Sequence, residues 1–348
     1  MVGYNDSKQL DHKFGGPKES LWGLSLMGLQ TWNSIRAIDF LQSLGDVDPE
    51  RIGCTGESGG GTQTYMVAAL DSRIRVAAPV CMVSAHFQGG CLCENAPSLR
   101  LDTNNVEIAA LMAPMPMLLV SATGDWTRRT PWVEYPFIRR IYGFFGASAK
   151  VKSVQVNAPH NYNRESREAA YAWFGKWLLG SSDPERFKER PYTLDKDQDI
   201  LVFSGGERPS NALDARGLIA HVVSISKGSL EKLKPKDARG LVRSKKIMGE
   251  MMAGCLSVES DPKAEATVRG KAHIKPKAIL TRLTIGRKGM GEEIPGVLLR
   301  PTKRTGRGTL VVYQDGKSKL FEGRCPNPLA SGLLSAGHDV LSIDCFLT

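Results

Sequence analysis

The chain has 348 residues, 41% of them hydrophobic, and a formal net charge of +10. That composition excludes a disordered or collagen-like chain and fits one large α/β domain or two modest ones. No apolar run is long enough to span a bilayer. The opening "MVGYNDSKQLDHKFGG" has no apolar h-region, so no secretory signal and a cytoplasmic location are expected of the chain as it stands. Seven cysteines (54, 81, 91, 93, 255, 325 and 345) are an odd number in a chain too long to need staples, which argues against a disulfide framework.

Taken in order, residues 19–44 carry Leu21, Leu24, Met27, Leu29, Trp32, Ile35, Ile38 and Leu41 at helical spacing, predicting an amphipathic helix that Gly45 ends. Arg51 to Thr55 is a short β run leading into "GESGGG". "GTQTYMVAAL" reads as a helix and Arg75 to Met82 as a buried strand. A third strand, "MPMLLVSA", is ended by "TGDWTRRTP". "YPFIRRIYGFFG" is helical, "KVKSVQV" is a strand, and "SREAAYAWFGKWLLG" is a helix that closes the block at Gly180. Strands alternating with helices predict a mostly parallel sheet with helices on both faces over residues 1–180.

Residues 181–277 read as a basic extension or linker of Pro, Gly, charged and short helical pieces. The positive excess gathers there and just beyond, as in "KGSLEKLKPKDARGLVRSKK" and "RPTKRTGRG". No Phe, Trp or Tyr lies between Phe203 and Tyr313 to stack on bases, so a solvated surface is expected and not a nucleic-acid partner. In residues 278–348 strand signals resume: "ILTRLTI" and "IPGVLLRP" as an antiparallel pair, then "GTLVVYQDG", the helix "NPLASGLLSAG" and the strand "HDVLSIDCF".

Chemistry concentrates at Gly56-Glu57-Ser58-Gly59-Gly60, a Gly-x-Ser-x-Gly between a buried strand and a helix. Glycines at 56 and 60 let the chain pass close to its neighbours with a strained serine at the apex. No P-loop lysine follows, and the spacing is not that of a dinucleotide loop. A serine needs a base, and the base an orienting carboxylate. Asp125 and His160 follow strands in the required order, at the carboxyl ends where open parallel sheets place their chemistry. Asp125 has a competing role as a helix N-cap, and Glu134 is a second candidate acid. His86 precedes any candidate acid, and His12 precedes the serine. Cys91 and Cys93 are separated by one residue with no second Cys/His pair nearby, so they read as small buried or loop cysteines and no metal is expected.

"RIGCTGESGGGTQT", "GCLCENAP", "SATGDWTRRTP" and "APHNYNRESREAAYAWFGKWLLG" together resemble the acetyl xylan esterase-like carboxylesterases of the α/β-hydrolase superfamily, over about residues 4–180. The resemblance implies Ser58 as nucleophile, His160 as general base and acid, and Asp125 as the residue orienting it. It also implies hydrolysis of short-chain esters, including acetyl groups on sugars, without a cofactor. An amide or peptide hydrolase of the same fold, and a non-catalytic fragment or binding module, are the competing readings.

Only one helix and a leader precede the nucleophile strand, which leaves a parallel strand without its neighbour. Residues 278–348 resemble the missing front of such a domain. The expectation is therefore a circularly permuted sheet, completed by residues 278–348 in cis or by swapping in a homodimer. The oxyanion hole would then use the N–H of Gly59 and one from the Asp315–Gly316–Lys317 turn.

Overall fold

The structure, a computed structural model, describes residues 9–203, 208–256, 258, 263–274 and 278–345. Residues 1–8 of the expected domain and Phe346 of the last expected strand lie outside these. The chain divides into two units, residues 1–248 and 249–348.

In the first unit the order is α1 (Pro17–Ser20), α2 (Leu26–Ser43), β1 (Gly53–Glu57), α3 (Gly59–Leu70), β2 (Val76–Val80), α4 (Asn105–Ala110), β3 (Met117–Gly124), α5 (Glu134–Phe144), β4 (Val151–Pro159) and α6 (Arg164–Leu178). The four strands pair in sequence order, β1-β2-β3-β4, all parallel. Parallel strands need both faces covered. One face packs Tyr65 and Met66 of α3, Ile138 and Tyr142 of α5 and Ile38 of α2 over Met117 and Leu119. The other packs Ala170 and Trp173 of α6 over Val76, Val80 and Leu118. This is the parallel sheet with helices on both faces expected from the strand–helix alternation.

The first long helix starts seven residues later than expected. Gly23 takes a left-handed φ of 70°, and Ser25 caps the new start by accepting the Gly28 N–H at 3.0 Å. Its predicted buried stripe is only half buried: Met27 and Ile38 are in the core, but Trp32 is 57% exposed. Phe40, on the same helix, is also exposed.

The extension is more helical than expected. After α7 (Asp197–Ile200) come α8 (Ala215–Leu233) and α9 (Ala238–Cys255), neither of which buries a residue fully. Ala215, Leu218 and Ile219 at the start of α8 nevertheless rest against a small cluster of Leu10, Phe14, Leu26 and Cys93.

The second unit contains β5 (Ala264–Ile274), β6 (Ala278–Arg287), β7 (Ile294–Pro301), β8 (Gly308–Val312), β9 (Phe321–Glu322), β10 (Cys325–Pro326), α10 (Pro328–Ser335) and β11 (Asp339–Ile343). Its sheet runs β5-β6-β7-β11-β8, antiparallel except for the parallel β11–β8 pair. Leu299 and Val340 pack against Leu334 and Ala330 of α10. The predicted hairpin, strand, helix and strand are all present, and β5 is an addition that sequence reading missed. Within this unit β8 pairs on one edge with β11 and ends the sheet, with no strand on its other edge among the described residues.

Candidate active site

Ser58 sits between β1 and α3 with φ 56° and ψ −121°, a backbone region that a side-chain-bearing residue adopts only under strain. Two glycines make the turn possible. A Cβ on Gly56 would lie 2.7 Å from the Gly60 backbone, and one on Gly61 would lie 2.7 Å from the Val80 carbonyl oxygen. Gly60 itself has open space, so Gly61, outside the five-residue motif, does the second close-packing job. The Ser58 N–H donates to Val80 O at 3.1 Å, tying the turn to the end of β2. Gly59 opens α3, where the first N–H groups have no acceptor within the helix.

Asp125 and His160 meet because of a bulge. Ala122 pairs with Val156, but Gly124 pairs with Pro159, one residue further along β4. The next residues on the two strands are Asp125 and His160, and Asp125 Oδ2 accepts from His160 Nδ1 at 2.8 Å. Its other oxygen, Oδ1, accepts from the Thr127 N–H at 2.7 Å and the Thr127 hydroxyl at 2.5 Å. The two roles weighed for Asp125 are therefore both filled, one by each oxygen. The Trp126 ring lies 4.4 Å from the imidazole, centroid to centroid, and steadies its plane.

The remaining nitrogen of His160 is engaged by a carboxylate. Nε2 lies 2.6 Å from Glu57 Oε1, while the Ser58 hydroxyl donates to Glu94 Oε1 at 3.5 Å, a weak bond. Burial raises the Glu57 carboxyl above the ordinary range; the His160 ring opposes that rise, and Asp125 and Glu94 add to it. Glu94 is almost wholly buried, and its Oε2 accepts from the Cys91 N–H at 3.0 Å. Gly89, at φ 111°, has no room for a Cβ because the Glu94 side chain fills that space. Asn95 and Arg100 brace the same loop through the Gly89, Cys91 and Glu94 carbonyls.

Of the other candidates, Glu134 is buried under the 84–86 turn, where Oε1 accepts from the Ala85 N–H at 3.0 Å. His86 Nδ1 sits 3.1 Å from the Ser84 hydroxyl. In the second unit the Gly316 N–H donates to Tyr313 O at 3.1 Å and the Lys317 N–H to Asp344 Oδ1 at 2.8 Å. Both expected second oxyanion donors are thus engaged by acceptors of their own unit. Sequence reading missed Glu57 and Glu94, although one is the variable residue of the serine motif and the other belongs to the quoted "GCLCENAP".

Comparison with known proteins places residues 32–95, from α2 through the serine turn to Glu94 and Asn95, within the family model of acetyl xylan esterase (AXE1). The hydrolase YtaP of Bacillus subtilis (strain 168) is 31% identical over 170 residues, covering 45% of this chain and 56% of that protein. Among solved structures, the methylesterase BT1017 is 30% identical with a TM-score of 0.49, covering 65% of this chain and 58% of its own. A glucuronoyl esterase of carbohydrate esterase family 15 from Caldicellulosiruptor kristjansonii is 17% identical, with a TM-score of 0.41 and coverage of 58% and 65%. The chain thus spans a little over half the length of the hydrolase and the methylesterase. Its first unit has the α/β-hydrolase architecture, and the chain is similar to the acetyl xylan esterase-like carboxylesterases of that superfamily.

Proposed function

We propose that the first unit is a serine ester hydrolase acting on short-chain, acetyl-type esters, with acetylated carbohydrate as the substrate class. The observation that carries this reading is the strained Ser58 elbow at the end of β1, on the same sheet edge as a bonded Asp125–His160 pair. In acylation, His160 Nε2 leaves Glu57, takes the Ser58 proton as the hydroxyl attacks the ester carbonyl, and returns it to the leaving alcohol. A water deprotonated by the same nitrogen then releases the acid. Asp125 holds the Nδ1–H and stabilises the imidazolium, and the Gly59 N–H faces the oxyanion. The names of the matched family and of the methylesterase favour ester over amide substrates. Hydrolysis of p-nitrophenyl acetate without hydrolysis of aminoacyl anilides would support the reading; the reverse preference would sink it.

We propose also that residues 278–348 complete the sheet of a second copy by swapping, β8 of one chain pairing with β1 of the other. Support comes from edges and faces left uncovered. β1 and β8 each end their sheet, Leu310 and Val312 on β8 are 57% and 51% exposed, and Trp32 and Phe40 of α2 are exposed too. A second oxyanion donor from Lys317 then requires its N–H to leave Asp344. The test mixes two variants, Ser58→Ala and Leu310→Lys/Val312→Lys, each expected to be inactive alone. Recovered esterase activity on mixing supports swapping. Full activity of the double-lysine chain alone, or a dead mixture, contradicts it.

A further inference from the structure

We infer that His12, Cys91 and Cys93 form a binding site for a soft or borderline divalent cation of the zinc class, which clamps the loop carrying Glu94. This inference stands apart from the serine chemistry, because it uses different residues and a different readout.

The sequence hides the site, since 78 residues separate the histidine from the cysteine pair. The fold closes that gap. Leu10 and Phe14, on either side of His12, are buried against Leu26 and Cys93, and the Phe14 N–H donates to Asp11 O at 2.9 Å to turn the segment back. His12 Nε2 comes within 3.3 Å of Cys91 Sγ. The nitrogen and both sulfurs all lie within 4.8 Å of one another. Tetrahedral zinc with ordinary ligand bonds holds its sulfur and nitrogen ligands about 3.6–3.8 Å apart, so the His12–Cys91 pair has to open slightly and the other pairs close by no more than about 1 Å. Two thiolates and an imidazole also match soft-cation preference, with the fourth position left for water or a substrate oxygen.

A bound cation would release a proton from each thiol as it takes their lone pairs. The consequence for the active site is mechanical. The Cys91 N–H is the donor held by Glu94 Oε2, and Glu94 Oε1 faces the Ser58 hydroxyl. A cation fixing Cys91 and Cys93 would fix the turn between them and the carboxylate beside the nucleophile.

The test is zinc titration of the intact, reduced, chelator-stripped chain, with uptake read by a chromogenic indicator and thiols counted by alkylation in the native state. The expected result is one zinc per chain, protection of two thiols, and a rise in melting temperature. Cys91→Ser/Cys93→Ser should lose uptake, and His12→Gln should weaken it about tenfold or more while keeping the thiol count. Cys255→Ser, at an exposed position, should change nothing. Absence of uptake by the folded chain, or equal uptake by the double-serine chain, overturns the inference. Should that chain fail to fold, undiminished uptake by His12→Gln does so instead.

Discussion

The two units treat their strands differently. In the first, β2 is buried at every position and the sheet is sandwiched by α3 and α5 on one face and α6 on the other. In the second, β5 is exposed along most of its length and β8 alternates between half-buried and exposed residues. Burial on both faces is what lets the first sheet hold a strained elbow and a buried carboxylate, because packing supplies the free energy that a left-handed serine and a desolvated Asp125 cost. The second sheet has the right strand content but leaves apolar residues on its edge strand, so it supports pairing more readily than chemistry.

The sharpest way to break this contrast is to remove the nucleophile. Ser58→Ala should lower kcat on p-nitrophenyl acetate by about 10⁴-fold or more while leaving the melting temperature nearly unchanged, since alanine keeps the strained backbone and Cβ and loses only the weak hydroxyl bond to Glu94. Asp125→Asn comes next. It should cost about 10⁴-fold in kcat through the wrong imidazole tautomer, and it should destabilise modestly through the Thr127 cap. A variant that loses stability but keeps activity would leave only the capping role.

Gly56→Ala tests whether packing holds the elbow. Its methyl would meet the Gly60 backbone at 2.7 Å, so a loss on the order of 1–3 kcal/mol is expected in denaturant melts. Gly60→Ala, with open space, should cost far less.

Glu57→Gln has the smallest expected effect and a pH signature. Burial is the leading cause raising the folded carboxyl above its unfolded value, so the stability tied to protonated Glu57 is complete below about 4.5. It is lost as pH rises through the folded value. The variant should therefore gain melting temperature over the parent at pH 7 and little or nothing at pH 4. An equal difference at both would show that Glu57 titrates normally. Because Glu57 lies outside the proton relay, kcat should stay within about tenfold.

Much of the candidate site was legible because Ser58, Asp125 and His160 each follow a strand, and parallel strand order alone brings such residues to one sheet edge. The bulge at Gly124 that aligns Asp125 with His160 was not legible, since one extra residue leaves no periodic trace. Glu57 and Glu94 escaped notice because carboxylates in turns look solvated until the fold buries them. The start of α2 was misplaced because apolar periodicity runs through Gly23 and Ser25, whose backbone preferences decide the matter. Trp32 of the predicted stripe stays 57% exposed, with the Arg36 guanidinium 4.5 Å from its ring centroid, a placement that periodicity alone does not show. The long helices α8 and α9 were read as a linker because their weak apolar faces, which bury no residue fully, are interrupted by charge and glycine.

The most direct measurement is labelling of the intact chain with a fluorophosphonate, followed by mapping of the modified peptide. The account predicts a single adduct on Ser58, lost in Ser58→Ala and strongly slowed in His160→Ala. Failure of the folded chain to react, or an adduct at another serine, would contradict it.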